Sequence, residues 1–117
     1  MRVRLFIISL LLTPALLFAD INMSGVIAYP VPFNPNVVPN MTIRFDGVTV
    51  SGTIKMNIFD VNGDVIFTQN YSTSSFTWNG RNTNGRLVAP GMYIIKVELQ
   101  NNDGSTGKKL IRILINY

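Results

Sequence analysis

Residues 78–93 read W-N-G-R-N-T-N-G-R-L-V-A-P-G-M-Y, and this stretch decides the fold. Trp78, the single tryptophan, closes one strand-like run, and Tyr93 opens the longest one. Between them lie Asn79-Gly80, Asn84-Gly85 and Pro90-Gly91, dipeptides that place the backbone at positive φ or pre-set a bend. A helix cannot run through three such breaks in so short a span. The stretch therefore reads as a long folded-back connection between two strands. Large aromatic side chains contribute mainly by burial, so Trp78, Tyr93 and the more distant Tyr29 are expected to be core anchors.

Outward from this connection the chain alternates apolar and polar residues with period two. Met41 to Asp46 sets Ile43 and Phe45 against Thr42 and Arg44, and Thr53 to Val61 sets Ile54, Met56 and Ile58 against Lys55 and Asn57. Asn62-Gly63 predicts a two-residue type I′ hairpin turn, with Val65 to Asn70 as the return strand. Ser74 to Trp78 is short, with Phe76 and Trp78 on one face. Met92 to Gln100 puts Tyr93, Ile95, Val97 and Leu99 on one face, Asn102-Asp103-Gly104 turns the chain, and Lys108 to Ile115 returns. Upstream, Gly25 to Tyr29 forms a short strand. The prolines at 30, 32 and 35 then impose an extended edge segment that turns Phe33 inward. Turn signals recur roughly every eight to twelve residues and no stretch keeps helical spacing. The fold class is all-β: an immunoglobulin/fibronectin-III-like antiparallel β-sandwich of about seven strands.

At 117 residues the chain holds one domain at most. Arg2 and Arg4, the apolar run from Leu5 to Leu12 that resumes after Pro14, and Ala19 before Asp20 are laid out as a secretory signal peptide. The apolar run of about 15 residues falls short of the roughly 20 a spanning helix needs. We expect residues 1–19 to be a cleaved leader and residues 20–117 to be the domain, with no stable membrane span afterwards. Without Arg2 and Arg4, eight basic side chains face six acids, a balance of +2 with only Lys108 and Lys109 adjacent. That scatter speaks against nucleic acid, which calls for a clustered basic face.

The chain has no His and no Cys, so Ser–His and Cys–His nucleophile pairs and the common zinc sites are excluded. Glu98, the one glutamate, reads as part of a solvated strand face. We expect no enzyme activity and no cofactor. Asp60, Asn62 and Asp64 have the D-x-N-x-D spacing that opens a calcium loop. Val65 then stands where such a loop has Gly, and Tyr71 where it has Glu. The competing reading is a hairpin whose Asx side chains cap their own backbone.

Several of these residues resemble one known family. Tyr29-Pro30-Val31-Pro32-Phe33-Asn34-Pro35 resembles the Y-P-N-P-F-N-P opening of the immunoglobulin-like domain of flagellar hook-capping (FlgD) proteins, shared with carboxyl-terminal (type A) sorting domains of type IX secretion cargo. Ile58 to Val65, with Asp60 and Gly63, resembles the family's I-Y-D-x-x-G-R-x-V hairpin. Trp78, Gly80, Gly85, Gly91 and Tyr93 fall on W-D-G-R-D-x-x-G…A-x-G-x-Y, with Asn79 in place of the Asp. The resemblance implies a non-catalytic, extracytoplasmic structural or interaction module of the bacterial envelope, exported across the inner membrane to the periplasm, cell surface or medium. Its partner would be a protein of the envelope or secretion machinery. The alternatives it leaves are a type IX sorting or surface-attachment domain, and a small carbohydrate- or calcium-dependent binding module. Only the leader precedes the domain in this chain, which favours a free-standing subunit over a removable sorting tail. The expected contact surface is the last strand, with Lys108, Lys109, Leu110, Arg112 and Leu114, together with the Asn79 to Pro90 loop; an exposed strand edge accepts or donates a strand.

Overall fold

The computed structural model describes residues 20–117, and the leader read at residues 1–19 lies outside them. Seven strands follow in order: β1 Val26–Tyr29, β2 Met41–Phe45, β3 Thr53–Phe59, β4 Val65–Tyr71, β5 Ser75–Trp78, β6 Gly91–Gln100 and β7 Thr106–Ile115. All neighbours are antiparallel. One sheet has the order β1-β2-β5 and the other β4-β3-β6-β7, so the β2–β3, β4–β5 and β5–β6 connections must cross between layers. The long Trp78–Tyr93 connection is the third of these crossings.

Alternation puts Met41, Ile43 and Phe45 of β2 and Ile54, Met56 and Ile58 of β3 into the space between the sheets, all at 3% exposure or less. Tyr93, Ile95, Val97 and Leu99 of β6 join them, with Ile113 and Ile115 of β7. Trp78 lies between Phe33 and Phe67, with ring centroids 6.4 Å and 6.3 Å away. Tyr71 of β4 stacks on Phe76 of β5 at 3.8 Å, closing the side of the sandwich where the two edge strands meet. On the opposite side the Lys109 ammonium of β7 donates to the Val26 carbonyl of β1 at 2.8 Å, so β1's outward-facing carbonyl is satisfied across the layers.

Two expectations need correction. Tyr29 is not a core anchor: β1 sends Val26 inward and leaves Ile27 and Tyr29 outside, where Tyr29 is 40% exposed. Its ring lies 5.4 Å under the Arg44 guanidinium, which Asp46 holds through a bidentate pair. The turn after β3 is not type I′ either. That turn needs positive φ at Asn62, and among the described residues only glycines have it, here Gly63 at 85°. Instead the Gly63 amide donates to the Asp60 carbonyl and the Asp60 amide to the Asp64 carbonyl, both at 3.0 Å. This is a type I turn closed by a left-handed glycine. The register slips after it, because Ile58 faces Phe67 while Phe59 faces Val65, which leaves Ile66 bulged out of the ladder.

Candidate functional site

The Asp60 turn is built three times. At Asn82 the Gly85 amide donates to the Asn82 carbonyl (2.9 Å) and the Asn82 amide to the Arg86 carbonyl (2.8 Å). At Asn101 the Gly104 amide donates to the Asn101 carbonyl (3.0 Å) and the Asn101 amide to the Ser105 carbonyl (2.9 Å). Each time an Asp or Asn opens the turn and a glycine follows three places on, at φ between 81° and 89°. The Asp60 carboxylate accepts from the amides of Asn62 (2.9 Å) and Asp64 (3.0 Å) through one oxygen. Asn82 does the same for Asn84 and Arg86, both at 3.0 Å. The proposed calcium ligands Asp60, Asn62 and Asp64 thus share one exposed turn in which Asp60 already caps backbone.

The connection from Trp78 to Tyr93 is a small hairpin held to the sandwich. Arg81 bridges to Leu87, and the Val88 amide donates to the Gly80 carbonyl at 2.9 Å. Three aromatic donors hold its carbonyls: Trp78 Nε1 on Arg81 (2.9 Å), the Tyr93 hydroxyl on Ala89 (2.6 Å) and the Tyr117 hydroxyl on Val88 (2.7 Å). Burial pushes the Tyr93 hydroxyl's pKa up, with smaller contributions from Tyr117 and Asp60. The hairpin tip reaches β4, where the Thr83 amide donates to the Ile66 carbonyl at 3.0 Å. The bulge frees that carbonyl from the ladder, and the tip takes it up. Gly80 sits at φ 77° with Phe33 so near that a side chain there would press on the ring. Tyr117 had no signal of its own in the sequence, since a terminal tyrosine reveals no partner 29 positions away.

The proline segment places Phe33, fully buried, against the end of β7: the Phe33 amide donates to the Leu114 carbonyl (2.8 Å) and the Asn116 amide to the Phe33 carbonyl (3.0 Å). Pro30 and Pro32 follow cis peptide bonds, and Asn34 caps the next turn by accepting from the Asn36 amide before Pro35 leads away. At the other end of β7 the Ile21 amide donates to the Thr106 carbonyl at 2.7 Å. The predicted contact strand is therefore an edge strand covered at both ends, with Lys109 turned in toward β1. Backbone groups of an antiparallel edge alternate inward and outward, so those of Lys108, Leu110 and Arg112 share the outward direction of Thr106 and Leu114. Among the described residues no backbone bond reaches these three.

On the outer face of the four-stranded sheet the register places Lys108 beside Glu98, with Lys55 on the far side of Glu98, Leu110 beside Lys96, and Arg112 beside Ile94. Leu110 is 59% exposed there, and Met92 and Ile94 about 40% each. Lys96 pairs with Glu98 at 3.5 Å and lies 5.5 Å from the Phe59 ring. A shallow concavity of about 790 Å³ spans the polar end of this face, between Lys55, Glu98, Lys108 and Asp20. Among the described residues no three acidic, His or Cys side chains gather closely enough to hold a metal.

The sequence model of the FlgD Ig-like domain matches residues 39–103. Among solved structures the chain is similar to PorZ of Porphyromonas gingivalis, an essential bacterial surface component of the type-IX secretion system, with 28% identity and a TM-score of 0.59. That likeness covers 80% of this chain but only 12% of the PorZ chain. It is also similar to CopC from Methylosinus trichosporium OB3b, at 14% identity and a TM-score of 0.53 over 78% of this chain and 91% of CopC, which shows the fold alone. For FlgD from Xanthomonas campestris the values are 21% identity and a TM-score of 0.49, over 81% of this chain and 67% of that one. No curated protein sequence matches.

Proposed function

The chain belongs to the FlgD Ig-like domain family, and on that premise we propose that it is a non-catalytic interaction module of a bacterial envelope or secretion assembly, working outside the cytoplasm. The likeness to PorZ carries this reading, because at 28% identity over 80% of the chain it extends beyond a shared sandwich. The surface is consistent with contact: a pinned hairpin and an edge strand are presented in fixed geometry. In this proposal residues 1–19 form a leader that is removed, and residues 20–117 form the working domain. Fractionation of cells making a tagged chain, with intact-mass measurement, tests it. The expected result is a species lacking the leader, outside the cytoplasm and associated with envelope protein. A full-length cytoplasmic species would overturn it.

The PorZ likeness also favours a second reading, a sorting or attachment domain of the type IX kind. Fusing residues 20–117 to the carboxyl end of an exported reporter tests it. Surface display that is lost when type IX components are removed would support it, and display independent of them would oppose it.

A further inference from the structure

We propose that the open window of β7, from Lys108 to Arg112, takes up an extended acidic segment of a partner protein as an added strand. The inference rests on the reading that this domain acts by contact, and it specifies the chemistry of what is contacted. Three residues, Lys108, Leu110 and Arg112, turn their backbone groups away from β6 and their side chains to the outer face of the sheet. Ile21 stops the window at one end by bonding Thr106, and Phe33 stops it at the other by bonding Leu114. An incoming strand therefore has room for about five residues.

The side chains around the window select its occupant. The strand positions of this sheet's outer face carry four cations, Lys55, Lys96, Lys108 and Arg112, against the single anion Glu98. A second copy of the chain fits poorly. Antiparallel self-pairing about Leu110 would set Lys108 opposite Arg112, and like charges directly opposite each other repel. An occupant of the form acidic–x–apolar–x–acidic would instead place carboxylates beside Lys108 and Arg112. Its apolar residue would lie on Leu110, which is 59% exposed. The motif is palindromic in its chemistry, so parallel and antiparallel additions are equally served. The x positions would face inward at the sandwich side where Lys109 reaches Val26, which leaves space only for small side chains.

The test uses the full domain and a labelled synthetic peptide containing Glu-Thr-Val-Thr-Glu, with Lys-Thr-Val-Thr-Lys as the control. Binding is read by fluorescence anisotropy, and its location by amide exchange in NMR spectra. The expected result is binding of the glutamate peptide at a Kd of about 1 mM or tighter, about tenfold ahead of the lysine peptide and weakening as salt rises. The amides of Lys108, Leu110 and Arg112 should become protected. Leu110→Pro removes an outward amide without touching the β6 ladder and should weaken binding by about tenfold. Should that variant not fold, Lys108→Glu combined with Arg112→Glu carries the test, since it should reverse the preference between the peptides. Protection elsewhere, no binding of the glutamate peptide, self-association through β7, or unchanged affinity in Leu110→Pro would each overturn the proposal. Loss of this inference leaves the module reading intact if the tagged chain still resides in envelope complexes, and a cytoplasmic chain sinks that reading whatever the peptide does.

Discussion

The turns at Asp60 and Asn101 share a backbone but use their first side chain differently. Asp60 is half-buried at the base of an exposed turn and uses one carboxylate oxygen to accept from the amides of Asn62 and Asp64, inside its own loop. Asn101 is 8% exposed and turns away from its loop. Its Oδ1 accepts from the Ser51 amide at 2.8 Å and its Nδ2 donates to the Thr49 carbonyl at 2.8 Å, about fifty residues away in sequence. Asp103 takes over the local capping by accepting from the Ser105 amide at 2.9 Å. Residues 46–52 form the crossing from β2 in one sheet to β3 in the other. One turn is thus held by itself, whereas the other fastens the two layers together at one end of the sandwich. The difference follows from what lies nearby: an Asx side chain caps its own loop where solvent surrounds it, and serves another segment's unpaired backbone where that segment packs against it.

Mutations should separate the two cases in a graded way. The largest effect is expected at Gly52, where a methyl group would overlap the Gln100 carbonyl oxygen just before the Asn101 turn. Gly52→Ala should cost about 3 kcal/mol, because backbone rather than a flexible side chain must move aside. Asn101→Ala should follow at about 2 kcal/mol, since it strands the Ser51 amide and Thr49 carbonyl in a half-buried place. Asp60→Ala should cost only about 1 kcal/mol, because water reaches the freed amides. Asp60→Asn should be close to neutral, as Asn82 already holds the same geometry with an amide oxygen. Urea unfolding of the four variants checks the order. Equal losses in Asp60→Ala and Asn101→Ala would erase the distinction between local and long-range capping.

Strands and core were legible because period-two alternation is a local signal: Ile54, Met56 and Ile58 could face only one layer. The connection from Trp78 to Tyr93 was legible for a similar reason, since its glycines forbid a helix and its end aromatics demand burial. What escaped was set by distance. Asn62-Gly63 carries the same letters as a two-residue hairpin, and only the Asp two places earlier shifts the balance to the turn observed. That Asx–x–Asx–Gly spacing recurs at Asn82 and Asn101 and could have been found as a repeat. Nothing in the letters says that Asn101 reaches Thr49, that Tyr117 holds Val88, or that Phe33 and Ile21 cover the ends of β7. Tyr29 was misread because aromatic residues are usually buried, and β1, with apolar residues on both parities, carries no alternation that says which face Tyr29 takes. The candidate contact strand was visible as a basic, alternating edge, but its narrowing to three open residues depends on bonds from segments far away in the chain.

The finest contrast between the two turns is electrostatic. In the Asn101 turn both the Ser105 hydroxyl, at 2.6 Å, and the Ser105 amide donate to the Asp103 carboxylate, and these bonds hold its pKa below the usual carboxylate range. The unfolded chain then takes up the proton at a higher pH than the folded chain does. The linked stability is therefore present above the ordinary aspartate range and is lost as pH falls through the lowered folded value. Asp103 is fully exposed, so the effect should be the smallest of the set. Ser105→Ala removes the hydroxyl, the larger of the two causes, and leaves the amide. The Asp103 carboxyl should then titrate at a higher pH, and the acid-side loss of stability attributable to it should shrink. Carbon-detected NMR titration of Asp103 in both proteins measures the first effect, and urea midpoints across the acid range measure the second. An unchanged titration would mean that Ser105 does not engage Asp103 in solution, leaving the long reach of Asn101 to hold that end of the sandwich without a local cap.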